Sequence, residues 1–169
     1  MTSLVRHLEQ LTVTATSPDG KIKVALRDEG RILCGFRGKD DFRAYGAGEL
    51  SRQLGAMFSS LEEGRRRGVR QAYEASGWDV EDEAPHWDAQ RRRYRAALSG
   101  AEVRGRSRGG LVLFKASGDL ENCQVKVHPK ALEELEADQF LFELHSAYAA
   151  LRLDRKLKRN ELKREHLPR

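Results

Sequence analysis

The sequence predicts an α+β fold built from two consecutive α-β-β-β-α units. Three observations predict it. Short stretches of alternating apolar and polar residues are separated by turns that contain Gly or Pro. Two long segments carry apolar stripes at helical spacing, and the same order of elements occurs twice along the chain. A chain of 169 residues has room for one ordinary domain or for two small ones.

The first unit begins with a short helix predicted at residues 4–11, where leucines recur at helical spacing. Alternating patterns between turns predict three strands, at residues 13–16, 22–26 and 31–37. A long helix begins at about Gly48. Its apolar stripe consists of Leu50, Leu54, Met57, Phe58 and Leu61. We expect this helix to continue to about Tyr73, although Gly64 and Gly68 lower its helical propensity.

The second unit follows a break at residues 76–86, which is rich in acidic residues. A helix is predicted at residues 88–98. Three strands follow, at residues 102–106, 111–116 and 122–127. The pattern predicts that a second long helix begins near Leu132 or Asp138. Its apolar positions are Phe140, Leu144, Tyr148 and Leu151, each 90 residues after an apolar position of the first long helix.

The hairpins match at the same offset, because Ser17 and Gly20 correspond to Ser107 and Gly110. Coincidence between two generic β-β-β-α units is the alternative explanation, and the shared offset of turns and helix stripes favours a repeat. The predicted organisation is a first repeat at residues 1–76, an acidic linker at 77–86, and a second repeat at 87–169 with a basic helical tail.

The formal net charge of +5 lies entirely in the last 19 residues. Residues 151–169 contain eight basic and three acidic side chains, so residues 1–150 carry 23 of each and are neutral. On a helix, five of these cations share a sector of about 100°. They are Arg152, Arg155, Lys156, Arg159 and Lys163. Such a face suits a polyanion, because each cation displaces a counterion condensed on it. The alternative is a solvated helix end whose cations favour the negative end of the helix dipole.

We therefore predict a phosphate-binding surface with a main and a secondary part. The tail supplies the main part, with Lys158 and Arg164 beside the five residues above. The second hairpin supplies Arg104, Arg106 and Arg108, of which the first two alternate with Val103 and Gly105 and so share one sheet face. For the cluster at 65–70 we favour pairing with acidic side chains of the neutral body.

No pattern in the sequence predicts an enzyme, a cofactor or a metal site. The five histidines are scattered, no nucleophile elbow or phosphate-binding loop is present, and we attribute Gly105, Gly109 and Gly110 to the hairpin turn. No apolar run approaches the roughly 18 residues that cross a bilayer, and the first residues lack the apolar core of a secretion signal, so we expect a cytoplasmic protein without membrane contact.

The two cysteines are too few for a disulfide framework. Cys34 and Cys123 fall on the third predicted strand of each unit, within one residue of equivalence. That position places them near each other if the two units pack symmetrically. We expect buried thiols, with a redox-sensitive bridge as the alternative.

The second hairpin and the strand after it carry a resemblance to a known family. The stretch Val103-Arg-Gly-Arg-Ser-Arg-Gly-Gly-Leu-Val112, followed by Val125-Lys-Val-His-Pro129 and Leu132, resembles the YbaB/EbfC family of small bacterial nucleoid-associated proteins. His128 stands where the family usually has Asp. The segment from Ala15 is similar to the divergent YbaB-like domains of high-GC Gram-positive bacteria, but Phe36-Arg-Gly-Lys39 replaces the strand ending with Pro.

This resemblance implies an α-β-β-β-α unit that dimerises by joining its small sheets and binds double-stranded DNA with low sequence specificity. A tandem chain then forms an intramolecular pseudo-dimer with long C-terminal helices, located in the nucleoid and able to associate further into a homo-oligomer. One three-stranded sheet with two helices buries little core, whereas two such units packed together bury much more. The alternative function is a protein-interaction or chaperone-like accessory module of a type VII (ESX-type) secretion system, which holds a protein client.

Overall fold

The computed structural model describes residues 2–27, 31–77 and 89–167. These residues form a mixed α+β fold with two three-stranded antiparallel sheets. The strands are β1 (Val13–Thr16), β2 (Ile22–Leu26), β3 (Ile32–Phe36), β4 (Glu102–Arg106), β5 (Val112–Ser117) and β6 (Gln124–Val127). The helices are α1 (Thr2–Glu9), α2 (Asp41–Ala44), α3 (Ala47–Ala75), α4 (Ala89–Gly100), α5 (Pro129–Glu134) and α6 (Ala137–His166).

Six strands lie where the sequence predicts them, although β6 begins two residues later than expected. The two short helices α2 and α5 were not predicted as separate elements. His128 begins α5, because its Nδ1 accepts a hydrogen bond from the Lys130 main-chain N–H at 3.1 Å. The imidazole thus caps the first turn of the helix. The predicted turn at 28–30 and nearly all of the acidic linker lie outside the described residues.

The two hairpins are held by the same hydrogen bonds. The hydroxyls of Ser17 and Ser107 each accept a bond from the main-chain N–H five residues later, at 3.0 Å in both cases. Gly20 and Gly110 follow three residues after these serines with φ of 76° and 71°, in the left-handed region that glycine adopts without steric cost. The two hairpin turns therefore have the same local geometry at positions that are 90 residues apart.

Each long helix packs against strands of both sheets. Helix α3 contacts β1 and β2 and also β6, whereas α6 contacts β4 and β5 and also β3. Ser51 on α3 accepts a hydrogen bond from the Val127 N–H at 2.9 Å, and Ser59 donates one to the Cys123 carbonyl at 3.2 Å. These bonds provide partners for two main-chain groups at the β6 edge of the second sheet. The buried apolar residues of both sheets join in one core.

The long helices meet through positions that are 90 residues apart. The rings of Phe58 and Tyr148 lie 5.3 Å apart between centroids, and Glu62 contacts Arg152 one turn further along. Because successive contacts advance along both helices in the same sense, α3 and α6 run in the same direction at this junction. We name this contact region, centred on Glu62 and Arg152, the helix junction.

Glycines occur where a strand and a helix approach closely. A Cβ on Gly64 would lie 2.8 Å from the Val13 side chain, and one on Gly68 would lie 2.5 Å from that of Leu11. This packing explains why α3 continues unbroken through both residues. Gly105 is in the middle of β4 rather than in the hairpin turn, which corrects our attribution: a Cβ there would lie 2.8 Å from the Leu151 Cα.

The cysteines are not at equivalent positions. Cys34 is paired with Val24 in its sheet, whereas Phe114, 90 residues after Val24, is paired with Val125. By this pairing, Val125 corresponds to Cys34. Cys123 lies two residues before Val125, so the expected agreement within one residue is wrong. Both thiols are free, and burial raises the pKa of each to about 12.

Candidate nucleic-acid interface

The C-terminal half of α6 carries a groove of about 470 Å³ lined by cations. All five residues of the predicted stripe lie along it. The lining consists of Arg152, Arg155, Lys156, Arg159 and Lys163 together with Leu153 and Asn160. Eleven residues of helix separate the first cation from the last, so the stripe is roughly 16 Å long. We call this surface the basic groove.

The inner end of the basic groove is anchored to a buried carboxylate. Glu62 has no solvent-exposed surface, and its Oε1 accepts a hydrogen bond from the Tyr148 hydroxyl at 2.6 Å. Arg152 approaches the same oxygen at 3.4 Å, while the Arg65 Nε donates to the other oxygen at 2.9 Å. The carboxylate is thus shared by two guanidinium groups. Arg152 is bound at the helix junction, and its side chain is only partly exposed to solvent.

Main-chain carbonyl groups of the loop after β5 hold two further arginines. The Arg155 Nε donates to the Gly118 carbonyl at 3.0 Å, and Arg66 donates to the Asp119 carbonyl at 3.2 Å. These bonds use part of each guanidinium, and neither arginine has a carboxylate partner among the described residues. Arg155 therefore lies half-buried in the basic groove with a neutral acceptor as its partner.

Positive charge is in excess at this place. The pKa of the Arg155 guanidinium is lowered to about 10, first by burial and then by the charges of Arg65, Arg159 and Arg152. The Glu62 carboxylate opposes these charges only in part. The neighbouring cations therefore give Arg155 a positive local potential. Such a potential attracts anions.

The outer cations of the tail are more accessible. Lys156 and Arg164 are exposed, whereas Lys158 and Lys163 are half-buried. Lys158 has a weak contact with Glu161 at 3.9 Å, and Arg164 donates to the Asn160 carbonyl at 3.3 Å within its own helix. These side chains can reach a ligand that lies across the mouth of the groove.

The three predicted arginines of the second hairpin lie elsewhere. Arg104 and Arg106 are exposed on one face of β4, as their alternation predicts, and Arg104 pairs with Glu102. The Arg108 guanidinium stacks over the exposed Phe142 ring at 5.9 Å from its centroid. None of the three lines the basic groove among the described residues. The predicted main and secondary surfaces are therefore separate.

No known protein-family profile, curated protein or solved structure matches this chain.

In the part of the chain that the structure describes, no cluster of His, Cys, Asp and Glu residues could hold a metal ion. Across the same residues, no helix has the length and apolar character needed to cross a membrane. Outside the basic groove, Arg91 and Arg93 are exposed on α4. For Arg65, the predicted pairing with an acidic side chain is confirmed by its bond to Glu62.

Sequence reasoning missed Glu62 and Tyr148 as parts of the site. A usable pattern was present, because Glu62 and Arg152 are 90 residues apart and have opposite charges. Phe58 and Tyr148 are likewise 90 residues apart, and the second residue adds a hydroxyl that reaches the carboxylate. Comparing the residue types at equivalent positions would have indicated a contact between the long helices.

Proposed function

We propose that this chain is a nucleoid-associated protein that binds double-stranded DNA through backbone phosphates, with low sequence specificity and no enzymatic activity. The observation that carries the proposal is the basic groove, in which five cations lie along one helix face with no acidic residue in the lining. Contacts from arginine and lysine to phosphates supply affinity and position without reading the base sequence.

The arrangement of the long helices supports the further proposal of an intramolecular pseudo-dimer. Equivalent hairpins carry the same bonds, and each long helix packs against both sheets. In a pseudo-dimer of this kind the two repeats are held as one body, so the basic groove keeps a fixed relation to the Arg65 side of α3. That rigidity suits binding to a regular phosphate backbone.

A titration of short duplexes tests the DNA proposal. The double substitution Lys156→Gln with Lys163→Gln removes two cations from the groove and leaves the helix junction intact. We expect binding to two unrelated duplex sequences to weaken equally. The slope of log K against log salt should fall by about 2, because each phosphate contact contributes about one counterion. Fluorescence anisotropy over roughly 50 to 200 mM salt measures both quantities.

The matched control is Lys23→Gln with Lys39→Gln, which removes the same charge from exposed positions in the first half. We expect this variant to bind DNA within about twofold of the original chain, since a distant surface charge acts only through screened electrostatics. Equal weakening by both double substitutions would assign the effect to net charge and contradict the basic groove. Absence of any salt-sensitive binding by the original chain would contradict the function itself.

Deletion of residues 152–169 is the simplest way to remove the basic tail, but substitutions test the tail better. Deletion removes Arg152, and the buried Glu62 then loses one of its two cations. It also removes the Arg155 side chain that donates to the Gly118 carbonyl in the loop after β5. Loss of binding after such a deletion would combine loss of contacts with loss of folding.

A second candidate function is protein binding, including the secretion-accessory role named above. It is favoured by three exposed apolar side chains on α6: Phe142, Leu153 and Leu157 are each more than half exposed. Their spacing places them within about 60° of one another around the helix. Binding of unrelated duplexes with a steep salt dependence favours the DNA function. No mobility shift even at low salt favours the protein-binding function.

A further inference from the structure

Three guanidinium groups at the helix junction lie close enough for the charges of two of them to act on the third, Arg155. Arg65 comes from α3, and Arg155 and Arg159 lie one turn apart on α6. The Arg65 Nε is bound to Glu62 and the Arg155 Nε to a main-chain carbonyl. The Arg159 Nε is inaccessible to solvent and has no hydrogen-bond acceptor among the described residues. A buried N–H without an acceptor is costly. The Arg159 side chain is half-buried and lines the basic groove, where its terminal N–H groups can donate to an external ligand.

The carboxylate nearby does not neutralise this cluster. Glu62 is shared by Arg65, Arg152 and the Tyr148 hydroxyl. Arg155 and Arg159 form no ion pair within the described residues. The positive charges of Arg155 and Arg159 therefore remain uncompensated. Both side chains are half-buried, where solvent screens a charge less than at the surface.

We propose that Arg65, Arg155 and Arg159 form a binding site for a phosphate group at the junction of the two halves. Guanidinium groups match the oxygens of a phosphate with paired, charge-assisted hydrogen bonds. The phosphate comes either from a DNA backbone or from a free anion such as pyrophosphate. The inference rests on the proposed function only in the first case.

The position of the site gives it a second property. Arg65 and Arg155 are 90 residues apart and belong to different long helices, so their like charges oppose close approach of α3 and α6. A bound phosphate lies between them and reverses this repulsion. The depressed pKa of Arg155, caused first by burial and then by its cationic neighbours, is expected to return toward its ordinary value when the anion binds.

The experiment uses the full chain and two probes, inorganic pyrophosphate and a short duplex without terminal phosphates. Calorimetric titration measures the affinity for pyrophosphate, and thermal unfolding measures its effect on the Tm. NaCl at the same ionic strength is the reference condition. We expect pyrophosphate to raise the Tm of the original chain. Arg159→Gln should weaken the binding of each probe that the original chain binds by about tenfold, because it removes a charge-assisted contact. Arg159→Lys, which keeps the charge and loses the planar donor group, should give an intermediate loss.

The matched control is Arg91→Gln, which removes an exposed cation from α4, outside the basic groove. We expect it to bind pyrophosphate within about twofold of the original chain. If Arg159→Gln and Arg159→Lys bind both probes as Arg91→Gln does, the proposed site is wrong even when DNA binding itself persists.

The two probes separate the sources of the phosphate. Pyrophosphate binding that depends on Arg159, without DNA binding, supports the site and overturns the proposed DNA function. DNA binding that depends on Arg159, without pyrophosphate binding, supports the site and assigns it to the nucleic-acid backbone. Circular dichroism of each variant identifies any loss of folding, and Arg159→Lys then carries the comparison.

Discussion

At the residue scale, the buried carboxylate of Glu62 is important for stability. It has no exposed surface and is bonded to a tyrosine hydroxyl and to two guanidinium groups from different elements. Removing one partner of a buried charge network leaves the remaining charges without compensation, which costs more than the network contributes when complete.

We predict that Glu62→Ala lowers the free energy of unfolding by about 3 to 5 kcal/mol, since Arg65 and Arg152 lose their buried counter-ion and the Tyr148 hydroxyl loses its acceptor. Urea unfolding followed by circular dichroism measures the change. Glu63→Ala is the matched control, because Glu63 is the next residue on α3 and is exposed. Its effect should stay within about 0.5 kcal/mol. Similar losses for both variants would contradict the role assigned to Glu62.

At the element scale, periodicity and turn residues predicted the strands and both long helices. Alternation places every other residue of β4 on the core side, as observed for Val103 and Gly105. The short helices α2 and α5 lack enough residues for a helical period to be recognised. The partners of the basic stripe depend on which helix lies beside α6, and no local pattern specifies this contact. The sequence of the tail alone therefore could not predict that Arg152 and Arg155 are half-buried.

Gly105 is expected to limit how closely β4 and α6 can pack. Gly105→Ala places a methyl group against the Leu151 backbone, so strand and helix must separate. We predict a loss of roughly 2 to 3 kcal/mol in unfolding free energy. Gly35→Ala on β3 is the control, since its added methyl meets no atom within 4 Å. A chemical-denaturation midpoint for Gly105→Ala equal to that of Gly35→Ala would show that the close approach is absent in solution.

At the scale of the whole molecule, the core does not divide at the acidic segment. Phe58 from the first half stacks edge-on against Phe114 from the second, at 4.9 Å between centroids. Phe42 likewise stacks on Phe140 at 4.9 Å. Aromatic pairs of this kind add to the apolar area that both halves bury. Each half therefore completes the core of the other.

We accordingly predict one cooperative unfolding transition for the chain. Hydrogen exchange with mass spectrometry at increasing urea concentrations follows peptides from β2 and β5 separately. The strongly protected amides of both strands should open with the same free energy and the same dependence on urea, since neither half retains a core without the other. Two distinct opening free energies would mean that the halves are independently stable.

The charge pair at the helix junction also bears on encounters between neighbouring chains. If the first half of one molecule took the place of the second half in another, position 62 would meet a second Glu62, and two buried carboxylates would face each other. The reciprocal exchange would place Arg152 against Arg152. Opposite charges at corresponding positions thus favour partnership of unlike halves, and swapped assemblies built from like halves carry an electrostatic penalty.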